Sequence, residues 1–110
     1  MSARGQTGGE WVSALRLDEL WEGEMVGLEL AGHEVLLLNL DGRVCAYRNR
    51  CPHQGTPLDE GDLDGDTLTC GGHLWEFDVR SGQGINPAGC ALRPYPVRVA
   101  DDVVWVELPR

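Results

Sequence analysis

The richest apolar run in the chain, Glu34-Val35-Leu36-Leu37-Leu38-Asn39-Leu40, is short and bounded by turn residues, which marks a strand. Asp41-Gly42 follows as a hairpin signal, and Arg43-Val44-Cys45-Ala46-Tyr47 supplies the return strand. On the other side, Ala31-Gly32 links the run to Met25–Leu30, where apolar and polar positions alternate loosely. Glu10–Leu17 reads as a first strand and its exit. Asp18-Glu19-Leu20-Trp21-Glu22-Gly23 reads as one helical turn, with Asp18 as N-cap and Gly23 as stop. Near the C-terminus, Tyr95-Pro96-Val97-Arg98-Val99 and Val103–Leu108 form a hairpin across Asp101-Asp102, and Val79–Gly84 reads as a turn. No stretch has the length of an ordinary amphipathic helix, and no repeat is visible. The class is all-β.

The 110 residues make one domain with a modest core, residues 10–110, preceded by a flexible tail over 1–9. Gly is abundant (15), charged residues make up 25%, and no apolar run is long enough to span a membrane. The opening Met1–Gly9 lacks the apolar segment of a secretory signal, so a cytoplasmic location is expected. The net charge of −9, with nine Arg and no Lys, argues against nucleic acid as a partner, because phosphates would be repelled. It suits solubility and steering toward a basic protein surface.

Four cysteines in an acidic chain without a signal favour metal binding over disulfides. Between Arg48 and Asp78 lie two short boxes, Cys51-Pro52-His53 and Cys70-Gly71-Gly72-His73, separated by a Gly/Pro/Asp-rich stretch. Each offers one thiolate and one imidazole, so the pair supplies two Cys and two His from two loops projecting at one end of the sheet structure. Structural zinc sites of this composition pair Cys with Cys and His with His, whereas here each box is mixed. The mixed set suits a [2Fe–2S] cluster of the Rieske type, in which two Cys hold one iron and two His the other. Two Fe³⁺, two S²⁻ and two thiolates sum to zero, and one added electron gives −1, an easier step than the −2 to −3 of an all-cysteine cluster. Of the other chemistry-bearing residues, His33 belongs to neither box and is expected at the surface. Cys45 is expected as a buried thiol in a strand, and Cys90 has no assigned chemistry. Asp59–Asp66 resembles a calcium loop only superficially. Counted from Asp62, the required Gly and Glu positions hold Thr67 and His73, so a solvated acidic loop is expected.

Cys51-Pro52-His53-Gln54 and Cys70-Gly71-Gly72-His73-Leu74-Trp75-Glu76-Phe77 resemble the two boxes of the Rieske family. With Leu20–Met25, Gly84-Ile85-Asn86-Pro87 and Cys90–Val97, the sequence is similar to the small Rieske ferredoxins of toluene-monooxygenase-type diiron monooxygenases. The resemblance implies an antiparallel Rieske-type β-sandwich with a cluster-binding subdomain of two loops at about residues 48–78. It also implies one [2Fe–2S] cluster on Cys51, His53, Cys70 and His73, with Trp75, Pro52 and Gln54 as docking or cluster-covering residues. For Trp75, plain packing beside the cluster is the simpler role. High-potential members of the family carry a cysteine pair and two hydroxyls near the cluster. The corresponding positions here are Thr56 and Gly72, and Trp75 and Phe77, so the resemblance implies a potential near the bottom of the family range, about −150 mV.

The implied role is a monomeric, non-catalytic carrier of single electrons from an NADH-dependent flavin/iron–sulfur reductase to a diiron hydroxylase acting on aromatic or alkene hydrocarbons. An alternative is the ferredoxin of a Rieske-type ring-hydroxylating dioxygenase. A nitrite reductase small subunit fits less well, because such domains often lack the ligands that are all present here.

Overall fold

The computed structural model describes residues 9–52, 56–71, 75–86 and 89–109. Its centre is strand β3 (His33–Leu40), in which every residue from Val35 to Leu40 is buried. A strand with one wet face alternates apolar and polar residues; β3 does not, because both of its faces are covered. Leu36, Leu38 and Leu40 face one packed cluster, and Val35 and Leu37 face another. The one polar side chain in the run, Asn39, is satisfied: its Nδ2 donates to Leu20 O (2.9 Å) and its Oδ1 accepts from Gly42 N (2.8 Å).

Three antiparallel sheets build the covering layers. The middle sheet has the order β2 (Met25–Leu30), β3, β4 (Arg43–Arg48), β9 (Pro94–Tyr95). One outer sheet is β1 (Gly9–Arg16), β11 (Val103–Pro109), β10 (Val97–Ala100). From β11, Val104, Val106 and Leu108 point into the cluster that holds Val35, Leu37 and Tyr95, forming the sandwich core. On the other side lies a small sheet of β5 (Asp62–Asp64), β6 (Thr67–Thr69), β7 (Glu76–Asp78) and β8 (Gly84–Asn86). Its Leu68 and Phe77, paired across β6 and β7, pack with Leu36 and Leu38.

The three expected hairpin turns are present. Ala31-Gly32, Asp41-Gly42 and Asp101-Asp102 all have positive φ at both central residues, between 50° and 94°. That is the type I′ geometry whose twist matches the flanking strands. Four features differ from the sequence expectation. First, the helical turn is a 3₁₀ turn at Leu17–Glu19, so Asp18 lies inside it and is not the N-cap. The Glu19 carboxylate accepts from Arg16 N (2.9 Å) and starts the turn at that residue. Second, Tyr95–Val99 is two strands: β9 pairs with β4 and β10 pairs with β11, so the chain changes sheets at Pro96. Proline has no N–H for a ladder, and Pro96 O instead accepts from Glu107 N (3.0 Å). Third, the stretch between the boxes contains β5, β6 and a 3₁₀ turn at Leu58–Glu60 rather than loop alone, with β7 just after it. Fourth, β8 begins at Gly84, inside the expected 79–84 turn. Among the described residues no helix is long and apolar enough to cross a membrane.

Candidate metal centre

Cys51 and Cys70 arrive at the site from different sheets. Cys51 follows the end of β4 by three residues, and Cys70 directly follows β6. Both are buried (1% and 0% exposed) and belong to one apolar cluster with Leu36, Leu58, Phe77 and Leu92. The two boxes differ in spacing, yet their loops close alike. Cys51 N donates to Thr56 O (2.8 Å) and Cys70 N donates to Trp75 O (2.7 Å), so each cysteine opens a loop that returns five residues later. His53, Gln54 and His73 fall within these loops and lie outside the described residues, as does Gly72.

A frame of polar contacts holds the two loops to each other and to the sheets. Asn49, two residues before Cys51, is buried, and its N–H donates to Glu34 O (3.0 Å). Its Nδ2 donates to Asp59 Oδ1 (2.9 Å) while its Oδ1 accepts from Asp59 N (3.0 Å). This reciprocal pair ties the first box to the 3₁₀ turn at Leu58–Glu60. The exit of that turn then lies on the second box: a Cβ on Gly61 would stand 2.0 Å from Thr69 O, and one on Gly71 would stand 3.0 Å from Glu60 O. Only glycine permits such an approach of two backbones at residue 61.

The remaining sequence candidates separate into near and far. Trp75 is half-buried and packs against the cluster that holds both cysteines, in agreement with a packing role. Pro52 is exposed and, with Arg48, Arg50, Arg93 and Ala91, lines a cleft of about 190 Å³ beside Cys51. Cys45 and Cys90 are half-buried at the margin of the same cluster. Burial pushes the Cys45 thiol above its ordinary value, against the opposing pull of Arg43 and Arg80. Thr56 and Phe77 bring no sulfur and, for Phe77, no hydroxyl; Phe77 is fully buried. The Tyr47 hydroxyl is also taken, donating to Val79 O (2.7 Å).

His33 corrects the expectation of an exposed residue: it is half-buried, its Nε2 contacts Pro109 O (2.9 Å) and its ring meets Tyr95 edge-on at 6.4 Å. The acidic stretch is likewise not merely solvated. Asp59 is held by Asn49, and Asp66 pairs with Arg80 (2.7 Å). Sequence reading missed Asn49, Gly61 and the arginines of the cleft, whose partners lie on other elements and leave no periodic signal.

Comparison with known proteins agrees with this geometry. Residues 10–96 match the Rieske [2Fe–2S] domain. The chain is 46% identical over 91 residues to the ferredoxin component of the alkene monooxygenase system of Xanthobacter autotrophicus, covering 82% of this chain and 75% of that one. It is 30% identical to the ferredoxin component of the naphthalene 1,2-dioxygenase/salicylate 5-hydroxylase systems of a Ralstonia species, covering 89% and 95%. Among solved structures, the ferredoxin of carbazole 1,9a-dioxygenase from Nocardioides aromaticivorans superposes with a TM-score of 0.81 at 29% identity, covering 91% and 98%. The buried cysteines on two matching loops, the layered β architecture and these likenesses agree: the chain belongs to the Rieske [2Fe–2S] family, and its cofactor is a cluster of that type.

Proposed function

We propose that this chain is a one-electron carrier of an oxygenase system, with Cys51 and Cys70 holding one iron of the cluster and His53 and His73 the other. The observation that carries the reading is the pair of buried cysteines, each opening a loop closed by its own N–H five residues on. The donor set fits the cofactor: two thiolates in a dry, apolar setting and two neutral imidazoles on the same short loops. The group, when bound, supplies the reversible uptake of one electron. The protein's part is to hold the loops, exclude water and set the potential. Leu36, Leu58, Leu68 and Phe77 wall the cysteine side, and the Asn49–Asp59 pair keeps the two loops in register.

The potential should be low. Hydroxyls that donate to cluster sulfur stabilise the added electron, and the positions that carry them in high-potential relatives are Trp75 and Phe77 here. A midpoint of about −150 mV follows, which suits electrons that began on NADH and passed through a flavin. The proposed route runs from an NADH-dependent flavin/iron–sulfur reductase, through this monomeric and by itself inactive carrier, to a terminal oxygenase. The higher identity to an alkene monooxygenase ferredoxin favours a diiron hydroxylase of hydrocarbons as the acceptor over a ring-hydroxylating dioxygenase. Residues 1–9 are proposed as a tail and 10–110 as the single Rieske domain, with cluster binding confined to about 48–78 and a cytoplasmic location.

The test is twofold. Purified protein should show a rhombic EPR signal on one-electron reduction and a midpoint near the low end of the family range. It should then restore hydrocarbon oxidation when placed between a reductase and a diiron hydroxylase lacking their ferredoxin. A colourless, EPR-silent protein would refute the ligand assignment. A clearly positive midpoint would refute the argument from Trp75 and Phe77.

A further inference from the structure

The register that pairs Tyr47 with Pro94 across β4 and β9 brings Arg93 opposite Arg48, and Arg48 N donates to Arg93 O (2.8 Å). Like charges directly opposite on neighbouring strands repel. Both side chains are exposed, both line the cleft beside Cys51 and Pro52, and among the described residues no carboxylate lies within ion-pair reach of either. Glu34 and Glu29 line the adjoining cleft, but Glu34 is engaged by Arg50. This is an unusual arrangement for a chain with 18 acidic residues and only nine basic ones. Carboxylates stand at both ends of the strands: beside the boxes Asp59 is bonded to Asn49, and Asp62 and Glu76 lie opposite Thr69, next to Cys70. At the far end the Asp101-Asp102 turn meets Leu17 (Leu17 N to Asp102 O, 2.8 Å), Glu22 lies against Gly42, and Asp41 and Asp66 share Arg80. Beside the first cysteine loop the molecule therefore presents an arginine pair that makes no ion pair with any described carboxylate.

We propose that Arg48 and Arg93 form a docking clamp for a carboxylate side chain on the surface of the oxygenase that accepts the electron. Guanidinium groups match a carboxylate in two-pronged geometry, and the pair sits beside the first box, so the contact would set the cluster edge against the acceptor. In a chain of net charge −9 this local positive patch selects an acidic spot on the partner and fixes the orientation of docking. The clamp thus reverses, at the docking end, the sign that the overall charge suggests for the partner. It rests on the reading of this chain as a carrier to an oxygenase.

The experiment uses cluster-loaded protein and three variants: Arg48→Gln/Arg93→Gln, Arg48→Glu/Arg93→Glu, and Arg43→Gln at the opposite end of β4 as control. Stopped-flow oxidation of the reduced proteins by ferricyanide, an anion, and by tris(phenanthroline)cobalt(III), a cation, reads the charge at the cluster edge without any partner. Charge reversal should slow ferricyanide about tenfold at low salt and accelerate the cobalt complex, with the Gln pair intermediate and the control unchanged. The second arm measures electron transfer to the oxygenase of the Xanthobacter alkene monooxygenase system. Charge reversal should lower that rate by a similar factor and invert its salt dependence, while EPR signals and midpoints stay those of the wild type. The Gln pair, relieved of its repulsion, should melt no lower than the wild type.

Unchanged ferricyanide rates would overturn the clamp by showing that the pair does not govern approach to the cluster. A slowed ferricyanide reaction with an unchanged oxygenase rate would overturn it in favour of a site for small anions. Wild-type protein that reacts normally with both small oxidants yet passes no electron to any oxygenase would refute the carrier reading instead, a distinguishable result.

Discussion

Replacing Asn49 should loosen the first cluster loop while leaving the sandwich folded. Asn49 is 8% exposed and makes two side-chain hydrogen bonds to Asp59, donating to its carboxylate at 2.9 Å and accepting from its backbone N–H at 3.0 Å. The assignment of its amide is unambiguous, because a backbone N–H can only donate and a carboxylate can only accept. Asn49→Ala removes one charge-assisted and one neutral bond; since Asp59 is exposed and can recover water, the loss is about 2 kcal/mol. For a domain of this size that is a fall in Tm of about 10 °C. Asp59→Asn keeps an acceptor and the backbone donor, and should cost under about 1 kcal/mol. Asn49→Asp places a second carboxylate against the first and should be the worst of the three at neutral pH. It should recover in mild acid, where one carboxyl is protonated and donates to the other. The assay is thermal unfolding of the holoprotein together with the rate of cluster loss followed by visible absorbance. Equal melting and equal cluster lifetimes in Asn49→Ala and wild type would refute the view that this bridge holds the loop.

Gly61→Ala and Gly32→Ala should separate steric from conformational roles of glycine. A Cβ at residue 61 meets the Thr69 carbonyl at 2.0 Å, so the variant should not retain the cluster, whereas Gly32, at φ +83° with open space around it, should cost only about 1–2 kcal/mol and keep a normal EPR signal. Tyr47 gives a pH signature. Burial, with Cys45 and Asp78 nearby, pushes its phenol up to about 12, so the folded state holds the proton more tightly than the unfolded chain, which releases it near about 10. That stabilisation is complete below about pH 10 and is lost as pH rises toward about 12. Tyr47→Phe should lower stability at neutral pH by about 1 kcal/mol, since Val79 O loses its donor, yet show a shallower decline in denaturant midpoint across the alkaline window.

Much of this fold is written locally. The buried run of β3 and the three two-residue turns each depend on residues next to one another, so pattern reading finds them. The small sheet escapes it because β5, β6 and β7 have three residues apiece with one apolar side chain each (Leu63, Leu68, Phe77), too little for a period. The split of Tyr95–Val99 also escapes, because which sheet each half joins is decided by β4 and β11 rather than by the segment. At the site the same division holds. The two boxes are legible from donor type and spacing. Asn49 with Asp59, Gly61 with Thr69 and Arg48 with Arg93 exist only once distant strands are paired, and no single window of sequence contains them.

Strand β3 offers a last test, because it is a wall shared by the cluster-side core and the sandwich core. Leu36 and Leu37 are adjacent, identical and fully buried, but Leu36 packs with Cys51, Cys70 and Phe77, while Leu37 packs with Val35, Val104 and Val106. Truncating either to alanine opens a cavity and should destabilise by about 2–5 kcal/mol. Only at Leu36 does the cavity open into the apolar packing around the cysteines, where it admits motion and water. Leu36→Ala should therefore shorten the lifetime of the cluster by more than its loss of global stability explains. Leu37→Ala should lose the cluster only as fast as it unfolds. The measurement is cluster loss and tryptophan-monitored unfolding followed together under the same conditions. Coincident curves for both variants would mean that the two sides of β3 do not act as separate compartments, and that the cluster is protected simply by the stability of the whole domain.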